Sequence, residues 1–375
     1  MNDILSLFTP PSAKTKPAGF GIEDSLNLQI VNPHALKDFK PGSKDVLLFS
    51  AREQSLFREY LYALAGIKMK GTIFDLGILI PSKSQSDAYQ TFQSVCELLA
   101  QTNAAIVFIG SSHELTYYAY EGFKSTENLL SLSIIDSKID VNSDVTDFHS
   151  ENFINKLLNE KVESLLNLSV IGFQTYLTGN SAINQITKKH HELYRLGNIR
   201  SGYFDVEPAL RNSQILSFDL SAIRNSDYPA NEYPTPNGLY AEEACQLCRF
   251  AGGGEKNRFL GLFECKHEKD TVSTMLTAQL VWHYIDGFAQ RKIKNPLQNP
   301  SLFKKFIVNT GTPEVDMNFY SDELTNRWWF EFPISSKKVK QKNMVFPCSQ
   351  ADYIVASRGD VPDRWLNFFE KIQKL

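Results

Sequence analysis

The sequence predicts a three-layer α/β domain with a central parallel sheet. Short apolar runs rich in β-branched residues recur along the chain, and longer amphipathic segments separate them. Runs that are apolar on both sides are typical of strands buried on both faces, and their alternation with helices is typical of parallel connections. Several of these runs are followed by acidic residues or a histidine. The carboxyl ends of parallel strands are where such sheets bind ligands.

The predicted elements alternate over the first three quarters of the chain. The strands are the apolar runs at 45–49, 71–74, 104–109, 129–135, 168–173, 214–218 and 259–263. The helices are the amphipathic segments between and after them, at 55–65, 86–101, 152–160, 181–196, 240–251 and 271–290.

The chain divides into three predicted parts. Residues 1–40 form an N-terminal segment that packs on the main domain, residues 41–294 form the α/β domain, and residues 295–375 form a C-terminal accessory extension. Asn-Pro pairs mark the start of the extension. It contains every tryptophan except Trp282. Dense aromatic residues beside arginines are typical either of an element packed on the main domain or of a surface that docks a protein partner.

Composition excludes several classes of function. The chain has 375 residues, of which 42% are hydrophobic and 22% charged, with a net charge of -3, so nothing attracts it to nucleic acid. No apolar stretch approaches the ~18 residues of a membrane span, and the N-terminus lacks a signal-peptide pattern. We therefore expect a cytoplasmic protein. The five scattered cysteines argue against a disulfide framework, and Cys245 and Cys248 are interpreted as packed thiols on a helix face rather than a redox or zinc motif.

Four residues at the ends of predicted strands form a candidate metal site. They are His113, Asp136, Asp140 and Asp219. A single aspartate after a strand is usually a helix cap or a turn residue. Four candidate ligands at the same edge of a sheet favour a metal site instead. Three carboxylates and one imidazole suit a hard or borderline divalent ion such as Mn²⁺.

The segments around these residues resemble the three signatures of the ureohydrolase superfamily, which includes arginase, agmatinase and formimidoylglutamase. The family signatures are Gly-Gly-x-His, Asp-Ala-His-x-Asp and Ser-x-Asp-x-Asp. Here they read Gly110-Ser-Ser-His113, Asp136-Ser-Lys-Ile-Asp140 and Ser217-Phe-Asp-Leu-Ser221. The resemblance covers roughly residues 40–290 and implies the arginase-like fold. The tail beyond it suggests a divergent formimidoylglutamase-like branch.

The departures from these signatures affect one half of the family's dimanganese site. The resemblance implies that His113, Asp136, Asp140 and Asp219 hold the first ion. The second ion shares two of these carboxylates and needs one further histidine and one further aspartate. Those positions are Lys138 and Ser221. A protonated lysine cannot bind a metal and repels one, so we expect at most one Mn²⁺, or none.

The resemblance also implies candidate catalytic residues. They are Asp140, one of the ligand carboxylates, His149, near the family's proton-shuttling histidine, and Glu264, near its substrate-orienting glutamate. A surface position for His149 and an ion pair between Glu264 and Lys138 remain alternatives.

Two functions follow from this combination of residues. One is a protein that has lost or reduced catalysis and serves in binding or as a scaffold. The alternative is a metal-dependent hydrolase of C–N bonds, of the formimidoylglutamase or arginase type. The ligand implied by the resemblance is a small guanidino or formimino compound. The resemblance also allows a homo-oligomer, since family members often form trimers or hexamers, and leaves the oligomeric state open.

Overall fold

The computed structural model describes residues 2–12, 26, 28–31, 39–142, 147–202, 205–265, 270–292, 295–309, 316–333 and 343–375. Within these residues, a large sheet in the order β1-β4-β3-β5-β10-β9-β6-β7-β8 lies at the centre, and β2 also pairs with β4. All its described pairs are parallel except β1 with β4. The strands are β1 Phe8–Thr9, β2 Leu28–Ile30, β3 Val46–Ser50, β4 Ile73–Leu79, β5 Ala105–Ile109, β6 Leu130–Ile135, β7 Leu165–Phe173, β8 Glu192–Arg195, β9 Ile215–Asp219 and β10 Phe259–Phe263.

Helices cover both faces of this sheet. They are α1 Asn2–Leu5, α2 Ser55–Ala63, α3 Gln85–Ala100, α4 Leu115–Lys124, α5 Ile154–Leu158, α6 Asn180–Lys188, α7 Leu196–Ser201, α8 Glu207–Asn212, α9 Ala241–Gly252 and α10 Thr271–Ala289. Alternate residues of β3 belong to different cores. Val46 and Leu48 pack with α2, α9 and α10, whereas Leu47 and Phe49 pack with α3 and α4. The predicted three-layer α/β fold is therefore confirmed.

One predicted helix was partly wrong. The segment 181–196 forms α6 only as far as Lys188, and Glu192–Arg195 is the edge strand β8, which pairs in parallel with β7. The carboxylate of Glu192 is buried and pairs with Arg364 near the end of the chain. The arginine that neutralises this carboxylate is far away in the sequence, so the local helical pattern could not reveal the strand. The ion pair allows a charged side chain to be buried in a strand.

The C-terminal unit, defined here as residues 300–375, contains a second sheet. Four described antiparallel strands pair in the order β11-β12-β13-β14, and two helices pack against them. They are β11 Lys304–Asn309, β12 Asp316–Asp322, β13 Arg327–Pro333, β14 Asn343–Cys348, α11 Gln350–Ser357 and α12 Asp363–Ile372. An extension was predicted from the sequence, but this sheet was not.

The tryptophans of the C-terminal unit are interior residues. Trp328 and Trp365 belong to its apolar core, and the ring of Trp329 stacks on the guanidinium of Arg211 in α8 at 4.5 Å. All three rings are at most 6% exposed. They hold the unit together and fasten it to the main domain, so they do not themselves present a docking surface. Among the described residues, no helix is both long enough and apolar enough to cross a membrane.

Candidate metal centre

Four neighbouring strands bring the predicted site residues to one place. In the sheet, β5, β10, β9 and β6 lie side by side. Asp219 is the last residue of β9, and Asp136 directly follows β6. His113 follows β5 by four residues, and Glu264 directly follows β10. Because all four strands are parallel, their carboxyl ends meet at the same edge.

The imidazole of His113 lies at the centre of three carboxylates. Its Nδ1 is 3.5 Å from Asp136 Oδ2, 3.3 Å from Asp140 Oδ2 and 3.4 Å from Asp219 Oδ2. All four side chains are buried. The structure thus brings together the four residues that were predicted from the sequence as the ligands of one ion.

Two hydroxyl groups orient the imidazole. His113 Nε2 lies 2.9 Å from Ser217 Oγ, which lies 2.6 Å from Thr116 Oγ1. A proton on Nε2 satisfies the first contact and leaves the lone pair of Nδ1 directed at the carboxylates. This role of Thr116 was not predicted from the sequence. Its position three residues after His113, in the first turn of α4, was the available signal.

Backbone amides donate hydrogen bonds to one oxygen of Asp136 and to one oxygen of Asp219. The N–H of Lys138 donates to Asp136 Oδ1 at 3.1 Å, and the N–H of Ser221 donates to Asp219 Oδ1 at 2.7 Å. In each residue the other oxygen is the one that faces His113. The main chain therefore positions these oxygens for a shared ligand.

The residues present fit a divalent cation. His113 Nδ1, Asp136 Oδ2 and Asp140 Oδ1 are buried and have no hydrogen-bond donor or acceptor among the described residues. His113, Asp136 and Asp140 offer ligand atoms within 4.8 Å of one another. Buried polar atoms without partners are costly, and a bound cation removes this cost. The donor set of one nitrogen and several carboxylate oxygens suits Mn²⁺.

The electrostatics of the cluster also favour an added positive charge. Burial alone lowers the pKa of His113, but the three carboxylates beside its imidazole outweigh burial and raise this pKa well above its ordinary value. Burial, and then repulsion by Asp136, raise the pKa of Asp140. Burial opposes ionisation of Asp219, yet His113 and Ser221 lower its pKa. Without a metal, a proton on the imidazole partly compensates the carboxylates.

Lys138 places an ammonium group beside this cluster. Its Nζ donates to Glu151 Oε1 at 2.6 Å and lies 3.9 Å from Asp140 Oδ1. Burial opposes protonation, but the charge of Asp140 and the hydrogen bond to Glu151 raise the pKa of Lys138. Nothing in the sequence around Glu151 indicated that it holds Lys138. The second departure, Ser221, contributes its backbone N–H to Asp219.

The two remaining candidate residues lie at the border of the cluster. His149 is half-buried, and its Nδ1 accepts a hydrogen bond from the N–H of Glu151 at 3.1 Å. Glu264 has a φ of 60°, and its Oε1 accepts from the N–H of His113 at 3.3 Å. His149 thus lies beside the residue that holds Lys138. Glu264 contacts the backbone of a candidate ligand.

A match to a family model identifies the family of this chain. The arginase family model matches residues 50–286. The chain belongs to the arginase family. This confirms the ureohydrolase relationship predicted from the three signatures, and the matched region contains all the site residues described above.

Solved structures show the same fold. The chain is similar to a formiminoglutamase from Trypanosoma cruzi with Mn²⁺, at 20% identity over 67% of this chain and 95% of that one, with a TM-score of 0.59. Formimidoylglutamase from Bacillus subtilis matches at 14% identity over 74% and 97%, with a TM-score of 0.62. Proclavaminate amidino hydrolase from Streptomyces clavuligerus matches at 18% identity over 74% and 100%, with a TM-score of 0.58. A search of curated proteins gave no match.

Proposed function

We propose that this arginase-family protein binds one Mn²⁺ ion and has lost or reduced hydrolase activity. His113, Asp136, Asp140 and Asp219 are the proposed ligands. The observation that carries the proposal is the ammonium of Lys138, which lies 3.9 Å from the ligand carboxylate of Asp140. A lysine ammonium has three hydrogen donors and no lone pair, so it adds positive charge beside the cluster without binding a metal.

The charges and donor groups around the cluster support a single ion. One divalent cation and the Lys138 ammonium offset three of the four negative charges of the three ligand aspartates and Glu151. A second divalent cation adds repulsion against Lys138 and finds no imidazole at position 138 and no carboxylate at position 221.

The proposed loss of activity follows from the same residues. Two ions that share a water lower its pKa and stabilise the charge that develops on the substrate, and a single ion supplies less of both. This chain's residues would hold the ion through the imidazole of His113 and the three carboxylates. The proposed activity is therefore binding of a ligand or a partner rather than turnover.

The alternative is a metal-dependent hydrolase of a linear amidine. It is favoured by the convergence of four intact ligand residues and by structural neighbours named as formimidoylglutamases. In this alternative Asp140 is a catalytic ligand, His149 transfers protons and Glu264 orients the cationic head of the substrate.

We also propose the domain organisation predicted from the sequence. Residues 41–294 form the arginase-like domain, residues 1–40 pack on it, and residues 295–375 form the extension. The apolar core of the C-terminal unit, which also includes Leu166 of β7, supports an extension that is packed on the main domain.

Metal content and turnover test the proposal together. The protein is stripped with a chelator and reloaded with Mn²⁺, and Mn and Zn are counted per chain by mass spectrometry. Release of urea or formamide is then assayed with arginine, agmatine and N-formimidoylglutamate. One Mn²⁺ per chain without product above background is the expected result. Turnover in the unmodified protein favours the alternative, and more than one ion per chain contradicts the role of Lys138.

A double substitution tests why the second ion is absent. Lys138→His with Ser221→Asp restores the residue types of the family signatures and is expected to bind a second Mn²⁺. Lys124→His is the matched control, because Lys124 also pairs with two carboxylates, at 2.9 and 3.1 Å, and is 29% exposed compared with 35% for Lys138. A second ion in the control, or none in the double variant, opposes the proposal.

A further inference from the structure

A polar pocket, distinct from the candidate metal centre, lies at the carboxyl ends of β7 and β8. Its volume is about 560 Å³, and residues 173–176, 195–198, 200–201 and Asn237 supply its walls. This volume is within the range of small-molecule sites. Neither of the two functions considered above uses this pocket.

Two arginines give the pocket a positive charge. Arg195 and Arg200 both line it, and none of the described residues that line it is acidic. The exposed guanidinium of Arg195 makes a long hydrogen bond of 3.4 Å to Asn198 and no ion pair with a described carboxylate. Arg200 pairs with Glu243 at 3.2 Å, but Glu243 does not line the pocket. Arg195 is thus the less compensated of the two charges.

One glutamine holds another part of the pocket lining in place. The side-chain nitrogen of Gln174 donates to the carbonyl of Asn237 at 3.1 Å, and its oxygen accepts from the hydroxyl of Tyr176. These bonds join the loop after β7 to the loop that precedes α9. Tyr176, which also lines the pocket, is 64% exposed. The pocket is therefore preformed by side-chain contacts.

Hydrogen bonds join the segment after β7, part of which lines the pocket, to the loop that carries two of the proposed metal ligands. The N–H of Gln174 donates to the carbonyl of Ser137 at 2.8 Å, and the N–H of Ile139 donates to the hydroxyl of Thr178 at 3.3 Å. Ser137 and Ile139 lie between the proposed ligands Asp136 and Asp140. Because β6, β7 and β8 are neighbours, the pocket lies roughly 10 Å from the metal centre along the sheet.

We propose that this pocket binds the carboxylate or phosphate group of a small molecule, with Arg195 and Arg200 as the binding cations. A guanidinium pairs with such oxyanions through two parallel hydrogen bonds, and the exposed side chain of Arg195 has donors to offer. The anion is either a free ligand or the tail of a molecule whose other end reaches the metal centre. Anion binding itself needs no metal and so goes beyond the proposed function.

Calorimetric titration with inorganic phosphate and with glutarate tests this inference at constant ionic strength. Saturable binding of at least one probe is expected, and Arg195→Gln or Arg200→Gln is expected to weaken it about tenfold. Arg224→Gln is the matched control. Arg224 and Arg200 both stack on the Tyr240 ring, at 4.1 and 4.3 Å, and both side chains are 35% exposed, but Arg224 does not line the pocket.

Titrations of metal-free and Mn²⁺-loaded protein separate the two sources of the anion. Equal affinities support a free ligand, whereas tighter glutarate binding with Mn²⁺ supports a tail that extends from the metal centre. Binding that persists when Mn²⁺ uptake fails keeps this inference apart from the proposed function. Absence of saturable binding for both probes, or equal weakening by Arg224→Gln, overturns it. Melting curves of the exposed Arg195→Gln variant verify that it is folded.

Discussion

Replacing Lys138 with methionine is expected to tighten Mn²⁺ binding about 5- to 30-fold, which corresponds to roughly 1–2 kcal/mol. The ammonium lies 3.9 Å from Asp140 Oδ1. At this distance the attraction of two unit charges is roughly 1 kcal/mol at the dielectric constant of water and roughly 4 kcal/mol at an effective value of 20. The side chain is 35% exposed, so solvent screening selects the low part of this range.

The sign follows from what the ammonium stabilises. In the metal-free protein Lys138 compensates part of the carboxylate charge, so its removal makes the empty cluster less stable. The same removal abolishes repulsion between the ammonium and an incoming cation. Both effects favour the metal-loaded state.

Isothermal titration of chelator-treated protein with Mn²⁺ measures the change, with affinity and stoichiometry fitted separately. Lys124→Met is the control, because its ammonium also pairs with two carboxylates but lies on α4, outside the cluster. Unchanged or weaker binding in Lys138→Met refutes the reasoning. Equal tightening in both variants refutes it as well, since the effect is then not local.

Three further predictions concern the fold. Burial lowers the pKa of Lys371 to about 7, whereas a lysine in an unfolded chain has a pKa of ~10.4. Between these two pH values the unfolded state therefore binds more protons than the folded state. The free energy of unfolding of the unmodified protein minus that of Lys371→Met is then expected to rise by up to about 1.4 kcal/mol per pH unit from pH 7 to 10. Urea titration of both proteins at several pH values measures this difference, and a difference that does not change with pH contradicts the prediction. Phe330 lies in the core of the C-terminal unit, and Phe330→Ala is expected to lower the free energy of unfolding by about 3–5 kcal/mol, measured by chemical denaturation. A decrease below ~1 kcal/mol indicates that this core is loosely packed. Gly77→Ala is expected to detach β1, because Gly77 has a φ of 90° and a Cβ at this position would lie 2.1 Å from the backbone oxygen of Thr9. Faster hydrogen exchange at residues 8–9 is the expected result, and unchanged protection of these amides argues against the prediction.

The strands of the main domain could be predicted because their pattern is local. Residues 105–109 are an unbroken apolar run, and residues 130–135 are buried on both faces although Ser131 and Ser133 interrupt their apolar run. In both segments the local pattern was sufficient to identify the strand. The convergence of His113 with Asp136, Asp140 and Asp219 was predictable for a related reason, since parallel strands place the residues that follow them at one edge.

Other features depend on contacts that leave no local signal. The strand at 192–195 has a buried glutamate whose arginine lies 172 residues later in the chain. The position of Lys138 was known from the sequence, but Glu151, which holds its ammonium, could not be identified without the loop conformation. The sheet of the C-terminal unit was missed because its aromatic residues at 328–332 fit a docking surface as well as a core.

The ion pair between Glu192 and Arg364 has a consequence for synthesis of the chain. Ribosomes add about 5–20 residues per second, so Arg364 emerges roughly 10–35 s after Glu192. During this interval the strand at 192–195 carries a carboxylate that cannot be buried without its partner. The nascent sheet then has an incomplete edge, which is open to wrong pairing with other chains. We therefore expect the strand at 192–195 to complete the sheet edge only after α12 has emerged, and we expect chaperones to bind the nascent protein at this strand.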